Sequence, residues 1–371
     1  MANTRIPILK PFMPAGIMPK IKETLYSGWI GEGPKVRELE NALVAYTGNP
    51  YTVCLNSGTS AIHLALFLAG VGPGDEVIST PMTCAATNLP IVHTGAKIVW
   101  ADINDYDANI NVADVAEKIT KRTKAIVFVD YGGNPADVDQ LQQLARKHNI
   151  KLIEDAAQAL GAQLHGRPIG TYADYTCFSL QSVKSITSVD GGILCLKSLS
   201  DYRRAKRLRW FGIDRDNHYE AKRPWLYKIS EPGFKFHMND VLATIGLAQL
   251  PYLKQILRHQ RQNALYYTEA LKDLPITTVP IEPHKESSWW LFHVLTKKRY
   301  ALRDFLLAKG IETTPIHFRN DRLSVFKAFR TKLPNVDRFN NHHLAIPNGY
   351  WVGKKEREHI VHSIHEFFKK T

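Results

Sequence analysis

Residues 52–71 read TVCLNSGTSAIHLALFLAGV, and this stretch decides the fold. Thr52 to Leu55 is a short apolar run of strand length. Asn56-Ser57-Gly58-Thr59-Ser60 follows, and its glycine allows a tight turn. Ala61 to Val71 is apolar and long enough for a helix, so the stretch reads strand, turn, helix. The alternation recurs downstream. Residues 75–80 (DEVIST), 96–103 (AKIVWADI), 123–130 (TKAIVFVD) and 150–157 (IKLIEDAA) read as further strands rich in β-branched residues. Helical patterns such as 112–119 (VADVAEKI) and 138–148 (VDQLQQLARKH) lie between them. Strands alternating with helices predict an α/β fold, a mainly parallel sheet flanked by helices. Ligands of such sheets bind beyond the carboxyl ends of the strands, so the residues just after each strand deserve inspection first.

Near Met238 the pattern changes. Residues 239–274 read as one or two long helices. Residues 289–296 (WWLFHVLT), 303–310 (RDFLLAKG) and 356–370 (EREHIVHSIHEFFKK) predict a smaller C-terminal α/β domain. The expected division is a large domain with an N-terminal arm over 1–245 and a small domain over 246–371.

A chain of 371 residues suits two lobes with a sizeable interior. Hydrophobic residues at 44% and charged residues at 22% are ordinary for a globular protein. No apolar run reaches the roughly 18 residues a membrane span needs, and the N-terminus lacks a secretory pattern, so no membrane partner is expected. The four cysteines, Cys54, Cys84, Cys177 and Cys195, are scattered without CxxC spacing. They predict a reduced, cytoplasmic protein with no metal site. The formal net charge of +13 reads either as a solvated basic surface or as attraction to an anionic partner. Its densest cluster is Arg203, Arg204, Lys206, Arg207 and Arg209. No nucleic-acid recognition motif accompanies it, and a phosphorylated or carboxylated small substrate uses the same electrostatics.

Three strand-end features carry the chemistry. Gly58, Thr59 and Ser60 open a helix after a strand, where free N–H groups and the dipole make a phosphate site. A helix cap is the competing reading. Asp155 ends the strand IKLIE, where a carboxylate can hold a protonated ring nitrogen; an N-cap is again the alternative. Lys184, in FSLQSVKSITSVDGG (178–192), has few charged neighbours in sequence. A desolvated lysine loses its proton more easily and becomes an amine nucleophile, although a lone lysine is usually a surface charge. A phosphate cradle, a pyridinium partner and an amine are the three grips pyridoxal 5'-phosphate needs.

These residues resemble the DegT/DnrJ/EryC1/StrS family of pyridoxal-phosphate-dependent sugar aminotransferases, which have the aspartate-aminotransferase fold, fold type I. The resemblance runs through residues 27–48, 56–66, 154–162, 178–192 and 233–250 to the C-terminal lobe. It implies that Lys184 forms the Schiff base and shuttles the proton, and that Asp155 pairs with the pyridine nitrogen. Gln158 would lie near the ring oxygen, and Gly58, Thr59 and Ser179 would bind phosphate. Some members carry histidine in place of the lysine and catalyse dehydration, so Lys184 implies amino transfer. Two positions depart from the pattern. Cys84, in Met82–Thr87, stands where many relatives stack an aromatic ring, and Lys235, in GFKFHM, stands where many carry asparagine. The asparagine reaches the neighbouring subunit's phosphate, which a lysine can bind as a point charge.

The resemblance also implies a homodimer with shared active sites, L-glutamate as donor, and a keto- or aldehydo-sugar as acceptor. A nucleotide-linked keto-deoxysugar for lipopolysaccharide, capsule or glycoside building is the leading acceptor class; a free acidic sugar with an oxidised terminal carbon is the runner-up. Arg215, His317 and Arg319 read either as surface salt-bridging groups or as recognising anionic substrate oxygens. A competing class, a non-catalytic regulatory protein on this scaffold, is opposed by the presence of Lys184, Asp155 and the phosphate turn together.

Overall fold

The computed structural model describes residues 5–215 and 229–370. Residues 52–71 fold as strand, turn and helix: β1 (Thr52–Leu55) is followed by Ser57, which caps α3 (Gly58–Leu68). Before it come α1 (Ile17–Tyr26) and α2 (Pro34–Thr47). Then follow β2 (Glu76–Ser79), α4 (Ala85–His93), β3 (Lys97–Trp100), α5 (Val112–Lys118), β4 (Thr123–Val129), α6 (Val138–His148) and β5 (Lys151–Asp155). β6 (Tyr175–Ser179), β7 (Gly192–Leu196) and α7 (Leu199–Leu208) complete this part.

The seven strands form one sheet in the order β1-β7-β6-β5-β4-β2-β3. The pairs β2–β3, β2–β4, β4–β5 and β5–β6 are parallel, and β7 runs antiparallel to both of its neighbours. β4 shows why these strands read as continuous apolar runs. Alternate side chains face opposite layers. Ile126 and Phe128 pack with α2, α6 and the long helix that follows, while Ala125, Val127 and Val129 pack with α3 and α7. Parallel strands aligned this way bring the ends of β1, β5 and β6 to one region, where Ser57, Asp155 and Ser179 lie.

α8 (Asp240–Ala270) is one helix of 31 residues, capped by Asn239, whose side chain accepts from the Leu242 N–H at 2.9 Å. At about 1.5 Å per residue it spans roughly 46 Å. Ala243, Leu253 and Leu257 pack on the large sheet, whereas Ala264 and Tyr267 pack in a separate core. That second core covers a three-stranded antiparallel sheet of β8 (Thr277–Thr278), β9 (Phe292–Leu295) and β10 (His343–Ile346). α9 (Arg299–Ala308), α10 (Pro334–His342) and α11 (Lys354–Lys370) flank it. The N-terminal arm lies on this smaller lobe. Ile6 bridges to Ile311 and enters its core, and the Trp351 indole donates to the Pro7 carbonyl at 2.8 Å.

Candidate active site

The turn between β1 and α3 is built by its cap. Ser57 Oγ accepts from the Ser60 N–H at 3.1 Å and donates to Ser60 Oγ at 2.9 Å; the Ser57 carbonyl takes the Ala61 N–H. The Gly58 and Thr59 N–H groups are the ones a helix start leaves over. They face the end of β6. A Cβ on Gly58 would stand 3.1 Å from Ser179 Cβ and 3.4 Å from Ser179 Oγ. A Cβ on Gly192 would meet the Ser57 carbonyl at 2.1 Å, so only glycine lets β7 pass the turn. Gly58 thus brings the turn into close contact with Ser179 at the end of β6, while the Ser60 hydroxyl is engaged in the cap.

Asp155 ends β5 and is 4% exposed. Residues 156–162 form turns, so it caps no helix. Its Oδ2 accepts from Thr87 Oγ1 at 2.5 Å and its Oδ1 from the Ala157 N–H at 3.1 Å. Thr83 and Thr87 share a further hydroxyl bond of 2.8 Å. Burial pushes the carboxyl pKa up, against the Thr87 bond, the Ala157 N–H and the nearby Lys184 ammonium. None of its direct hydrogen-bond partners among the described residues is a cation. A buried carboxylate in that position suits a ligand that brings a positive charge.

Lys184 follows β6 in a turn closed by its own N–H to the Gln181 carbonyl at 3.0 Å. Burial lowers its pKa from 10.5 to about 8, with Asp155 and then Cys84 pulling the other way. Its ammonium stands 4.1 Å from the centre of the Trp290 ring. Cys84 is the exposed N-cap residue of α4 and makes no capping side-chain bond.

Gln158 is pinned by the Gly132 N–H, which donates to Oε1 at 2.7 Å. That bond turns its NH2 toward His317, whose Nε2 lies 3.3 Å away. The amide can only donate there, which assigns the His317 ring proton to Nδ1. Burial, then Lys184 and His343, lower the His317 pKa to about 3, so the ring is neutral. His317 itself sits at φ 62°, a strained conformation for a residue with a side chain. Its neighbours hold it there: Tyr131 donates to the Ile316 carbonyl at 2.5 Å, and Arg319 is fixed two residues on.

The structure therefore groups Asp155, Gln158, Lys184, Cys84 and His317, with Ser179 beside Gln158 and Lys184 and against the Gly58 turn. Three expected residues make other contacts within this chain. Arg319 was expected as a fork for substrate oxygens. It is buried, donates to both Asp321 oxygens at 2.7 and 2.6 Å, and bonds Asp337 as well. Its donors are committed, so it braces the His317 loop instead. Arg215 lies against the Glu32 carboxylate at 3.5 Å and over the Trp210 ring at 4.6 Å. Lys235 directs its ammonium toward Trp210 and Phe211, at 5.8 and 5.7 Å from their ring centres, while its carbonyl accepts from Asn56. Sequence reasoning missed Thr87 and Trp290. Thr87 stood in a quoted stretch without a role; Trp290 stood in a stretch assigned only to the smaller α/β domain, and lies 107 residues from Val183, which its indole bonds.

A family model described as the DegT/DnrJ/EryC1/StrS aminotransferase family matches residues 13–365. The UDP-4-amino-4-deoxy-L-arabinose–oxoglutarate aminotransferase of Shewanella sediminis is 35% identical, over 99% of this chain and 99% of that protein. The spore coat polysaccharide biosynthesis protein SpsC of Bacillus subtilis is 30% identical, over 99% of this chain and 98% of its own length. Among solved structures, the sugar aminotransferase CalS13 from Micromonospora echinospora superposes with a TM-score of 0.93 at 33% identity, covering 97% of this chain and 99% of that one.

Proposed function

The chain belongs to the DegT/DnrJ/EryC1/StrS aminotransferase family, and from that premise we propose that it moves an amino group from L-glutamate to the keto or aldehydo carbon of a sugar. The acceptor we favour is a nucleotide-linked keto-deoxysugar destined for a cell-surface polysaccharide or glycoside. Aminotransferases of this family use pyridoxal 5'-phosphate. The residues present fit that group. Gly58 lets the helix-start N–H groups approach Ser179 closely, where a Cβ would crowd it, and Asp155 is a buried carboxylate with no cation among its direct hydrogen-bond partners. The observation that carries the reading is that this carboxylate lies near a half-buried, readily deprotonated amine, Lys184.

In this reading the Gly58 and Thr59 N–H groups and the Ser179 hydroxyl hold the phosphate. Asp155 holds the proton on the ring nitrogen, and Thr87 orients the carboxylate. Gln158 and neutral His317 face the ring's polar edge. When bound, the cofactor supplies a carbonyl that captures amines and a ring that withdraws electrons from the carbon losing its proton. Lys184 does the proton work. With its pKa lowered from 10.5 to about 8, it holds roughly 300 times more neutral amine at neutral pH than an ordinary lysine has. Its Nζ would take the proton from the substrate carbon and deliver it to the cofactor carbon on the far side of the linking nitrogen, a role worth roughly 10²–10⁴-fold in rate. Trp290 and the 316–319 loop exclude water on one side.

We also propose a homodimer with shared sites. Leu25, Tyr26, Trp29 and Ile30 expose 51%, 82%, 49% and 56% of their surface around the end of α1, more apolar area than a lone subunit usually leaves in water. No helix among the described residues is long and apolar enough to cross a membrane, and all four cysteines are free, which supports a cytoplasmic setting.

The test is the absorption spectrum of the purified protein with pyridoxal phosphate. A band near the visible edge that moves to shorter wavelength on adding L-glutamate is expected. A protein that stays colourless with the cofactor overturns the reading. Acceptor panels of nucleotide-linked and free acidic keto-sugars then decide the substrate class.

A further inference from the structure

Lys184 has a second neighbour whose part in the reaction as described goes no further than excluding water. The Trp290 ring centre lies 4.1 Å from the lysine nitrogen, against its flat face. Trp290 is 6% exposed, and its own N–H donates to the Val183 carbonyl at 2.8 Å. The residue before Lys184 is therefore tied to the ring that meets the Lys184 side chain. Ile8, Leu9 and Val183 pack around it, and the His317 ring lies 6.5 Å away at 25°. Trp290 also lines both small cavities that flank Lys184. One holds Gln158 and Ser179; the other holds Lys10 and Gln260.

A freed lysine that has just taken a proton becomes a buried ammonium, which needs stabilising charge nearby. The charged and titratable groups facing it are Asp155, Cys84, His317 and, across the second cavity, Lys10. Asp155 is committed to Thr87 and the Ala157 N–H, and His317 is neutral. An indole face is electron-rich and attracts a cation, yet it is not a base. It can steady the ammonium without competing for the proton that must move on to the cofactor carbon. A second carboxylate would hold the ammonium too tightly to release that proton.

We propose that the face of Trp290 is the seat of the freed Lys184 ammonium, making Trp290 a positioning residue for the proton transfer. The proposal rests on the aminotransferase reading above, and the experiment separates the two. Tryptophan carrying one, two or three ring fluorines is placed at position 290 alone. Fluorine drains the face while nearly preserving its shape. The apoprotein is mixed with pyridoxal phosphate, and the rate of covalent capture is followed by absorption across pH. Only the neutral amine reacts, so the inflection reports the Lys184 ammonium. Weakening a desolvated cation–ring contact of about 0.5–2 kcal/mol should lower that inflection stepwise, by roughly 0.4–1.5 pH units over the series. A merely structural wall predicts one unchanged inflection. An inflection that stays put while capture proceeds normally overturns the role of Trp290. Absence of capture in the unsubstituted protein overturns the aminotransferase reading, and this proposal with it.

Discussion

Replacing Lys184 by methionine should abolish turnover and, at the same time, stabilise the apoprotein. The folded state lowers the lysine pKa from 10.5 to about 8, a difference of 2.5 units. At about 1.36 kcal/mol per unit, the ammonium costs the folded state roughly 3.4 kcal/mol. That figure is already net of the attraction to Asp155 and Cys84. Lys184 keeps some solvent contact, so about half to most of it is the realistic range, roughly 1.5–3 kcal/mol. The sign follows from linkage. With a depressed folded pKa, the unfolded chain binds more protons between about pH 8 and 10.5, so wild-type stability rises through that window. The cost is present in full below about pH 8. Methionine fills similar volume without charge, and its gain should be constant up to about pH 8 and vanish by about pH 10.5. Denaturant titration of both apoproteins at equal concentration, repeated across pH, reads the difference. A variant no more stable than wild type at neutral pH, or a gain that ignores pH, would refute the account of Lys184 as a strained, desolvated base.

Other perturbations address neighbouring groups. Asp155→Asn should slow the glutamate half-reaction by roughly 10²–10³-fold, the scale of losing one preorganised electrostatic contact. It should also move the Lys184 capture inflection to lower pH, because the Asp155 charge raises that pKa; an inflection that rises would contradict the geometry. Gly58→Ala puts a Cβ 3.1 Å from Ser179, and equilibrium dialysis should show cofactor affinity weakened at least about tenfold (about 1.4 kcal/mol) with the melting temperature nearly unchanged. Unaltered affinity would move the phosphate away from this turn. Glu154→Gln tests the opposite layer of the sheet. Glu154 and Asp130 are both fully buried, each with one oxygen lacking a partner among the described residues, and burial raises the pKa of each. A carboxyl raised in the folded state contributes stability at low pH that is lost as pH rises. The glutamine variant should therefore match wild type near about pH 4 and exceed it above about pH 7 in thermal melts. A deficit at neutral pH would show that ionised Glu154 has a stabilising partner.

The sequence alone determined the architecture and the strand ends that matter. Hydrophobic period, glycine turns and caps are local properties, legible in a run such as residues 52–71. The alternation of strands and helices commits the chain to a mainly parallel sheet with its ligands at one edge, which singles out Gly58, Asp155 and Lys184. Electrostatic state was not legible, because it depends on burial and on neighbours distant in the chain. Lys184 has an ordinary sequence context; only folding surrounds it with Trp290, Asp155, Cys84 and His317 and lowers its pKa. Arg319 looked like an available fork in a charged loop, although Asp321 two residues on was a hint, and packing closed it on two carboxylates. Thr87 comes to Asp155 across 68 residues. The N-terminal arm finds the smaller lobe because Ile6 adds to a core assembled from the other end of the chain. Contacts of that span leave no periodic trace in the sequence, since each partner's local pattern is satisfied without the other; the tertiary structure alone decided them.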